Sequence, residues 1–295
     1  MPQPDALADQ FEAHRPHVRS VAYRMLGSLS EAEDAVQEAW IRLSRADAAL
    51  IDNLRGWLTT VVARVCLDTL RARAARREDA LDTHVPDLVV HAVGRHDGVE
   101  DDAIRAESVS LALLVLLDAL EPAERLALVL HDVCGASYQE IAPIVERSVE
   151  ATRQLASRAR RRVQGEKPRP AAHLKEQRHV VEAFLSAVQA GDVEALVAVL
   201  DPTVVLRADG GPAKGMSRLV RGADAVVSQA TAFSKLGLVS QVVLVNGEIG
   251  VVSHLPNGHL LSVIAYAVSE GRVVEMNILA DPERLARLDL SAIAP

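Results

Sequence analysis

Five arginines, Arg153, Arg158, Arg160, Arg161 and Arg162, crowd one short stretch that contains no acid. A guanidinium offers a rigid fork of N–H donors, which fits guanine O6 and N7 or a phosphate. At helical spacing Glu150, Arg153, Gln154, Ser157, Arg158 and Arg161 share one face. Arg, Gln and Ser on such a face reach base edges and phosphates in a major groove, which is DNA-reading chemistry. A second set is acidic: Glu31, Asp34 and Glu38 lie at i, i+3 and i+7. They form either a solvated face or a docking surface for a basic partner helix, and periodicity alone favours the solvated face. A third set is catalytic in kind. Asp209, His254, His259, Tyr266 and Asn277 are the residue types of an acid–base pair beside a hydroxyl donor. Lone histidines on strands are more often structural, so the non-catalytic reading is favoured. His84, His91 and His96 are spaced by seven and five, which fits no usual metal site. Cys66 and Cys134 each stand alone in an apolar stretch and read as core residues. No metal and no cofactor is expected.

The elements that position the arginines are legible. Ser137 and Glu140 form a capping box, and a short helix, Tyr138 to Val145, follows. Glu146-Arg147-Ser148 is a three-residue turn, and a longer helix runs from Val149 to Val163. This is a helix-turn-helix layout, with Thr152, Leu155, Ala156, Ala159 and Val163 toward the core. A helix opened by Pro122 and closed by Gly135 precedes it. The acidic face belongs to an earlier block. There Phe11, Val18, Val21, Ala22, Met25 and Leu26 recur at helical spacing up to Gly27. Ser30 and Glu33 predict a second capping box. The next helix buries Ala32, Ala35, Val36, Ala39, Trp40 and Leu43. A third, from about Leu54 to Arg77, buries Leu54, Trp57, Leu58, Val61, Val62, Val65 and Leu70, with Arg64, Asp68 and Arg71 along an outer face.

Composition bounds the function. The chain is 49% hydrophobic and 24% charged, which excludes disorder throughout. With 32 basic and 40 acidic residues its net charge is −8, which argues against a simple basic DNA or membrane coat. Two cysteines cannot build a disulfide framework or a zinc ribbon. No apolar run reaches ~18 residues and the N-terminal stretch is polar, so no membrane span and no signal peptide are expected, and the cytoplasm is the expected compartment. Glu78 to Asp102 reads as a flexible acidic linker, and Pro168 and Pro170 stop a helix in a second linker. The predicted domains are 5–77, 104–164 and 176–290, joined by linkers 78–103 and 165–175. The third domain opens with two helices, around Val180–Val188 and after Asp192. A strand runs from Val204 into Gly211. Four strand-like runs follow, about 238–245, 248–255, 259–268 and 272–279, with hairpin signals at Asn246-Gly247, Pro256-Asn257-Gly258 and Glu270-Gly271.

Together these pieces resemble a known family. Leu120-Glu121-Pro122-Ala123-Glu124-Arg125, Ser137-Tyr138-Gln139-Glu140-Ile141-Ala142 and the stretch Arg153 to Val163 resemble region 4 of an extracytoplasmic-function (ECF) sigma factor. Ser30 to Glu38 resembles region 2.2. Gly56-Trp57-Leu58-Thr59-Thr60-Val61-Val62-Ala63-Arg64, with Asp68 and Arg71, resembles regions 2.3 and 2.4. The third domain is similar to the SnoaL-like, NTF2-like superfamily, an α+β cone, and a sigma factor with this extension resembles the SigJ-type subgroup.

The resemblance implies a multidomain fold: two all-α sigma domains, a region 2 bundle and a region 4 helix-turn-helix, plus the cone. It implies core RNA polymerase, through its β′ and β subunits, and promoter DNA as partners. Asp34, Gln37, Glu38 and Leu43 would carry the polymerase contact. Asn53, Arg55, Trp57, Thr60, Arg64 and Arg71 would hold the displaced −10 strand. Ser148, Arg153, Gln154, Ser157, Arg158 and Arg161 would read the −35 element. Asp209, Gly210, Gly211 and Lys214, with Asp281 to Leu285, match the extension's regulatory motifs, whereas in the linker only Val85-Pro86-Asp87-Leu88 is comparable. The implied product is a sigma factor tuned by its own cone, not an enzyme. A small-molecule pocket in the cone stays open. Two other readings share parts of the pattern. One is a ligand-responsive one-component helix-turn-helix regulator, which leaves 5–77 unexplained. The other is a cyclase- or isomerase-like enzyme fused to a DNA-binding domain. One residue departs from the family: Glu146 stands where the turn usually has glycine.

Overall fold

A computed structural model describes residues 4–47, 50–75, 83–93, 109–165, 173–212, 217–291 and 293. The chain forms two compact units, residues 1–79 with 114–167, and residues 80–113 with 168–295. Among the described residues no helix is long and apolar enough to cross a membrane.

The first unit is helical. Helices α1 (Pro4–Leu26), α2 (Leu29–Arg45) and α3 (Leu54–Ala75) form a bundle. Phe11, Val21, Met25, Ala35, Val36, Leu43, Leu58, Val62 and Leu67 fill its core. Gly27 takes the left-handed conformation that ends α1. The start of α2 differs from the predicted capping box. Ser28 is the N-cap and its side chain makes no capping bond. Glu33 instead reaches across to Arg15 and Arg19, at 3.2 and 2.5 Å. A cross-helix guanidinium competes better for the carboxylate than one backbone N–H. Asn53 caps α3, its Oδ1 accepting from the Gly56 N–H at 2.9 Å.

Helices α4 (Leu111–Asp118) and α5 (Pro122–Leu128) follow, then a π turn (Val129–Val133), α6 (Tyr138–Val145) and α7 (Val149–Gly165). The Ser137–Glu140 capping box is present as predicted. Thr152, Ala156 and Ala159 of α7 are buried, and Arg153, Gln154, Ser157, Arg158 and Arg161 are exposed. The two helical blocks, predicted as separate domains, pack into one unit. Arg125 is 3% exposed there. It pairs with Asp118 at 2.6 Å and donates from Nε to the Arg24 carbonyl at 3.4 Å.

The second unit carries a seven-stranded sheet in the order β1-β4-β5-β6-β7-β2-β3. The strands are β1 (Val90–Ala92), β2 (Leu200–Asp209), β3 (Arg218–Arg221), β4 (Val239–Val245), β5 (Glu248–His254), β6 (Leu260–Ser269) and β7 (Arg272–Leu279). Helices α8 (Leu174–Ala190), α9 (Val193–Val199) and α10 (Ala223–Ser234) pack on one face, and α11 (Pro282–Leu285) follows β7. Val181, Phe184, Leu196, Val226, Val251 and Tyr266 form that shared core. This is the α+β cone expected. The meander β4 to β7 matches the predicted runs, with Asn246 and Glu270 left-handed in the hairpin turns. Four elements of this unit were not predicted: β1, β3, α10 and α11. In addition, β2 runs parallel to β7 rather than joining an antiparallel series.

The flexible acidic linker needs correction over residues 83–93. Val85 and Leu88 are buried, and β1 pairs with the edge of β4. Asn246 holds this strap: Oδ1 accepts from the Val89 N–H and Nδ2 donates to the Val109 carbonyl, both at 3.0 Å. A charge average over 78–103 conceals two apolar anchors spaced to seat a short extended segment. Residues 76–82 and 94–108 lie outside the described part.

Glu146 is left-handed, with φ 58° and ψ 43°. An L side chain there costs roughly 1–2 kcal/mol, less what glycine loses on ordering. Glu146→Gly is expected to stabilise the helical unit by about 1 kcal/mol, read as a higher midpoint in thermal unfolding.

Candidate functional site

Three surfaces carry the residues singled out by the sequence. The first is the outer face of α2. Asp34 and Gln37 are exposed, and Glu38 pairs with Arg42 at 2.8 Å. Glu31 is engaged elsewhere, by Arg73. Leu43 must be withdrawn from this surface: it is 0% exposed and can touch no partner while the bundle is folded. Helical periodicity had placed it in the core, and the fold agrees. At Gln37 lies a groove of about 320 Å³ lined by Ala8, Phe11, Val36 and Trp40 together with Glu12, Arg15 and Glu33.

The second surface follows α3. Arg55, Arg64 and Arg71 are exposed and Trp57 is half-buried. Asp68 approaches Arg71 at 3.9 Å, a loose and solvated pair of little energetic weight. Arg55 donates to His17 Nδ1 at 3.3 Å, and His17 Nε2 lies 3.1 Å from Thr59 Oγ1. Burial first, then the Arg55 charge, lowers the His17 pKa. Thr60 donates to the Gly56 carbonyl at 3.0 Å, and Asn53 is committed to its cap.

The third surface is α7. Ser148 Oγ accepts from the Ala151 N–H at 3.2 Å and so opens this helix. The basic run divides into two groups. Arg158 and Arg162 reach the buried Glu124 at 3.2 and 2.8 Å, and Arg160 is held by Asp132. Arg153 and Arg161 face solvent, Arg153 in contact with Glu150 at 2.9 Å. Sequence reasoning missed Glu124, Asp132 and His131, because the arginines they meet are 28 to 38 residues away.

In the second unit Asp209 is the centre of a clasp. Its carboxylate accepts from Arg284 Nη1 at 2.7 Å and from the Val85 and Gly211 N–H groups at 3.1 Å each. His84 Nδ1 lies at 3.3 Å. Arg284 also donates to Asp87 at 2.9 Å and to the Val85 carbonyl at 2.6 Å. Burial raises the Asp209 pKa, but these donors and the Arg284 charge outweigh it and bring it down to about 2. Gly210 donates to Ser217 Oγ at 3.1 Å. Gly211 has φ +76°, and a Cβ there would lie 2.6 Å from an Asp281 carboxylate oxygen. Lys214 lies outside the described residues.

The acid–base candidates are not brought together. Tyr266 points into the helix-covered core, where its hydroxyl is buried with no hydrogen-bond partner among the described residues and its pKa is raised by burial. Asn277 pairs across from Ala265 and Arg207, on the alternate face, and accepts from Arg207 at 2.7 Å. Asp209 is committed to the clasp, and His259 is exposed in a turn.

Comparison with known proteins agrees with this layout. Residues 10–76 match the Sigma-70 region 2 family and residues 110–163 the Sigma-70, region 4 family. The chain is 38% identical to the ECF RNA polymerase sigma factor SigJ of Mycobacterium tuberculosis, over 93% of this chain and 92% of that one. It is 36% identical to the probable ECF RNA polymerase sigma factor SigI of the same species, over 97% of each. The crystal structure of SigJ superposes with a TM-score of 0.73 at 34% identity, covering 96% of this chain and 99% of that one. With the helix-turn-helix, the region 2 bundle and the cone all present in one order, the chain belongs to the ECF RNA polymerase sigma factors and directs transcription as a member of that family.

Proposed function

We propose that α2 docks on core RNA polymerase through Asp34, Gln37 and Glu38, with the adjoining Trp40 groove receiving an apolar side chain of the same partner helix. Helix α3 then holds the displaced −10 strand with Arg55, Trp57, Thr60, Arg64 and Arg71, its start set by Asn53. Helix α7 reads the −35 element with Arg153, Gln154, Ser157 and Arg161, its start set by Ser148, while Arg158 is turned to Glu124. The observation that carries this reading is α7 itself, buried on one side and presenting exposed Arg, Gln and Ser on the other. The net charge of −8 supports it as well. Phosphate attraction supplies most non-specific DNA affinity, so an acidic chain binds free duplex poorly and relies on polymerase to bring it there.

The cone acts on the same process through the strap. Residues 83–93 lie in the chain that joins the two helical blocks. A free linker of roughly 30 residues has a mean span of about 30 Å, and seating its middle on the cone removes much of that reach. The clasp of Asp209, Arg284 and Asp87 therefore sets how far the promoter-reading blocks can separate, and the cone tunes initiation.

Three measurements test this reading. Asp34→Arg with Glu38→Arg puts like charges against a basic partner, at a cost of several kcal/mol. Co-purification with core polymerase should be lost while the circular dichroism spectrum is kept. Unchanged co-purification would return the face to a solvated role. Removal of residues 168–295 should leave polymerase binding intact and change run-off transcription at matched saturation; equal output on several promoters counts against tuning by the cone. Asp209→Asn should speed amide exchange at Val85 and Val89 at least tenfold, since a charged hydrogen bond contributes about 1.5–3 kcal/mol. A depressed carboxyl contributes above its unfolded range near 4 and loses that contribution as pH falls toward its folded value. Strap protection should thus hold at neutral pH and fade between about pH 4 and the folded value of about 2.

A further inference from the structure

Around the helix-turn-helix, four side chains from three elements form one cluster. Asp132, in the π turn, accepts from Arg160 Nε at 2.8 Å and also from Arg160 Nη2. His131 Nδ1 lies 2.8 Å from the same carboxylate. Arg160 Nη2 donates in addition to the Tyr138 hydroxyl at 3.1 Å. The His131 ring stacks on Tyr138, with centroids 4.1 Å apart and planes inclined by 25°. Tyr138 is thereby fixed at its hydroxyl and along a face of its ring. The guanidinium of Arg153 then lies 5.6 Å from the centre of that ring. Its other contact is the carboxylate of Glu150, one turn back on the same helix.

We propose that Tyr138 is a positioning residue for −35 recognition, a fixed aromatic platform that aims the Arg153 guanidinium at a base edge. This rests on the reading of Arg153 as a base reader. A bidentate contact needs the planar fork at one angle, and a long arginine side chain in water samples many. A cation over an aromatic ring narrows that choice without covering the N–H donors that point outward. The platform must itself be rigid, and Arg160, Asp132 and His131 make it so. Arg160 therefore serves specificity from within the basic run: its guanidinium is turned to Asp132 and Tyr138 rather than to phosphate.

The test uses the full chain with core polymerase and promoters changed one base pair at a time through the −35 element, at several salt concentrations. Arg153→Ala should lose discrimination at one base pair, about fivefold or more. Tyr138→Leu should lose discrimination at that same base pair, about two- to fivefold, with the salt dependence unchanged. Tyr138→Phe keeps the ring and should restore most of the loss. Asp132→Asn loosens the clamp from an exposed position outside the ring, and should act at the same base pair even where Tyr138→Leu folds poorly. Added to Arg153→Ala, Tyr138→Leu should do nothing further at that position. An equal loss of affinity on every −35 variant with Tyr138→Leu would make the ring a backbone contact and overturn the proposal. Full discrimination retained in both Tyr138→Leu and Asp132→Asn overturns it too, leaving the Arg153 reading intact. No position-specific loss in Arg153→Ala removes the base-reader assignment, and the platform with it.

Discussion

A guanidinium withdrawn from water must find carboxylates or carbonyls, and this constraint organises both units. In the helical unit Arg125 lies buried between the two sigma blocks. It has Asp118 and the Arg24 carbonyl as partners, while its Nη2 finds none among the described residues. Burial accordingly lowers its pKa, though the Asp118 charge opposes the shift. In the second unit Arg284 gathers Asp209, Asp87 and the Val85 carbonyl from segments more than a hundred residues apart. Arg207 is held likewise by Glu275 and Asn277. Removing one member of such a set leaves a charge stranded in a poorly solvated place, so each set fixes its segments firmly.

The same constraint sorts the basic residues by task. Arg158 and Arg162 share the buried carboxylate of Glu124, and Arg160 is taken by Asp132. These arginines carry structural duties while remaining at the surface. Arg55, Arg64, Arg153 and Arg161 present their charge outward. A chain with eight excess negative charges thus keeps exposed arginines on α3 and α7 among the described residues. The strap follows related logic. Val85 and Leu88 are buried by ordinary apolar packing, but its register is set by polar groups, Asp209 and Asn246, which bond its backbone.

Much of the fold was legible in the sequence because its signals are local. Capping by Ser137 and Glu140 is a four-residue pattern, and the meander is announced by glycine turns at fixed intervals. The exposed face of α7 follows from helical spacing alone. Where the local signal competed with a distant partner, it failed: Glu33 left its predicted cap for Arg15 and Arg19. Leu43 shows the converse. Its spacing placed it in the core and its motif position suggested a contact, and packing followed the spacing.

The helices of the first unit, the meander strands, their turns and the order of the sigma motifs were determined by the sequence itself, since each depends on residues within one or two turns of one another. Tertiary structure decided what depends on distant pairing. It seated the acidic linker on the sheet edge, because two apolar anchors outweigh the charge around them once β4 offers unpaired backbone groups. It turned β2 parallel to β7, because α10 and the meander intervene before that edge is filled. It chose which arginines face solvent and which face carboxylates, because a guanidinium's role is set by the charge that folding brings beside it.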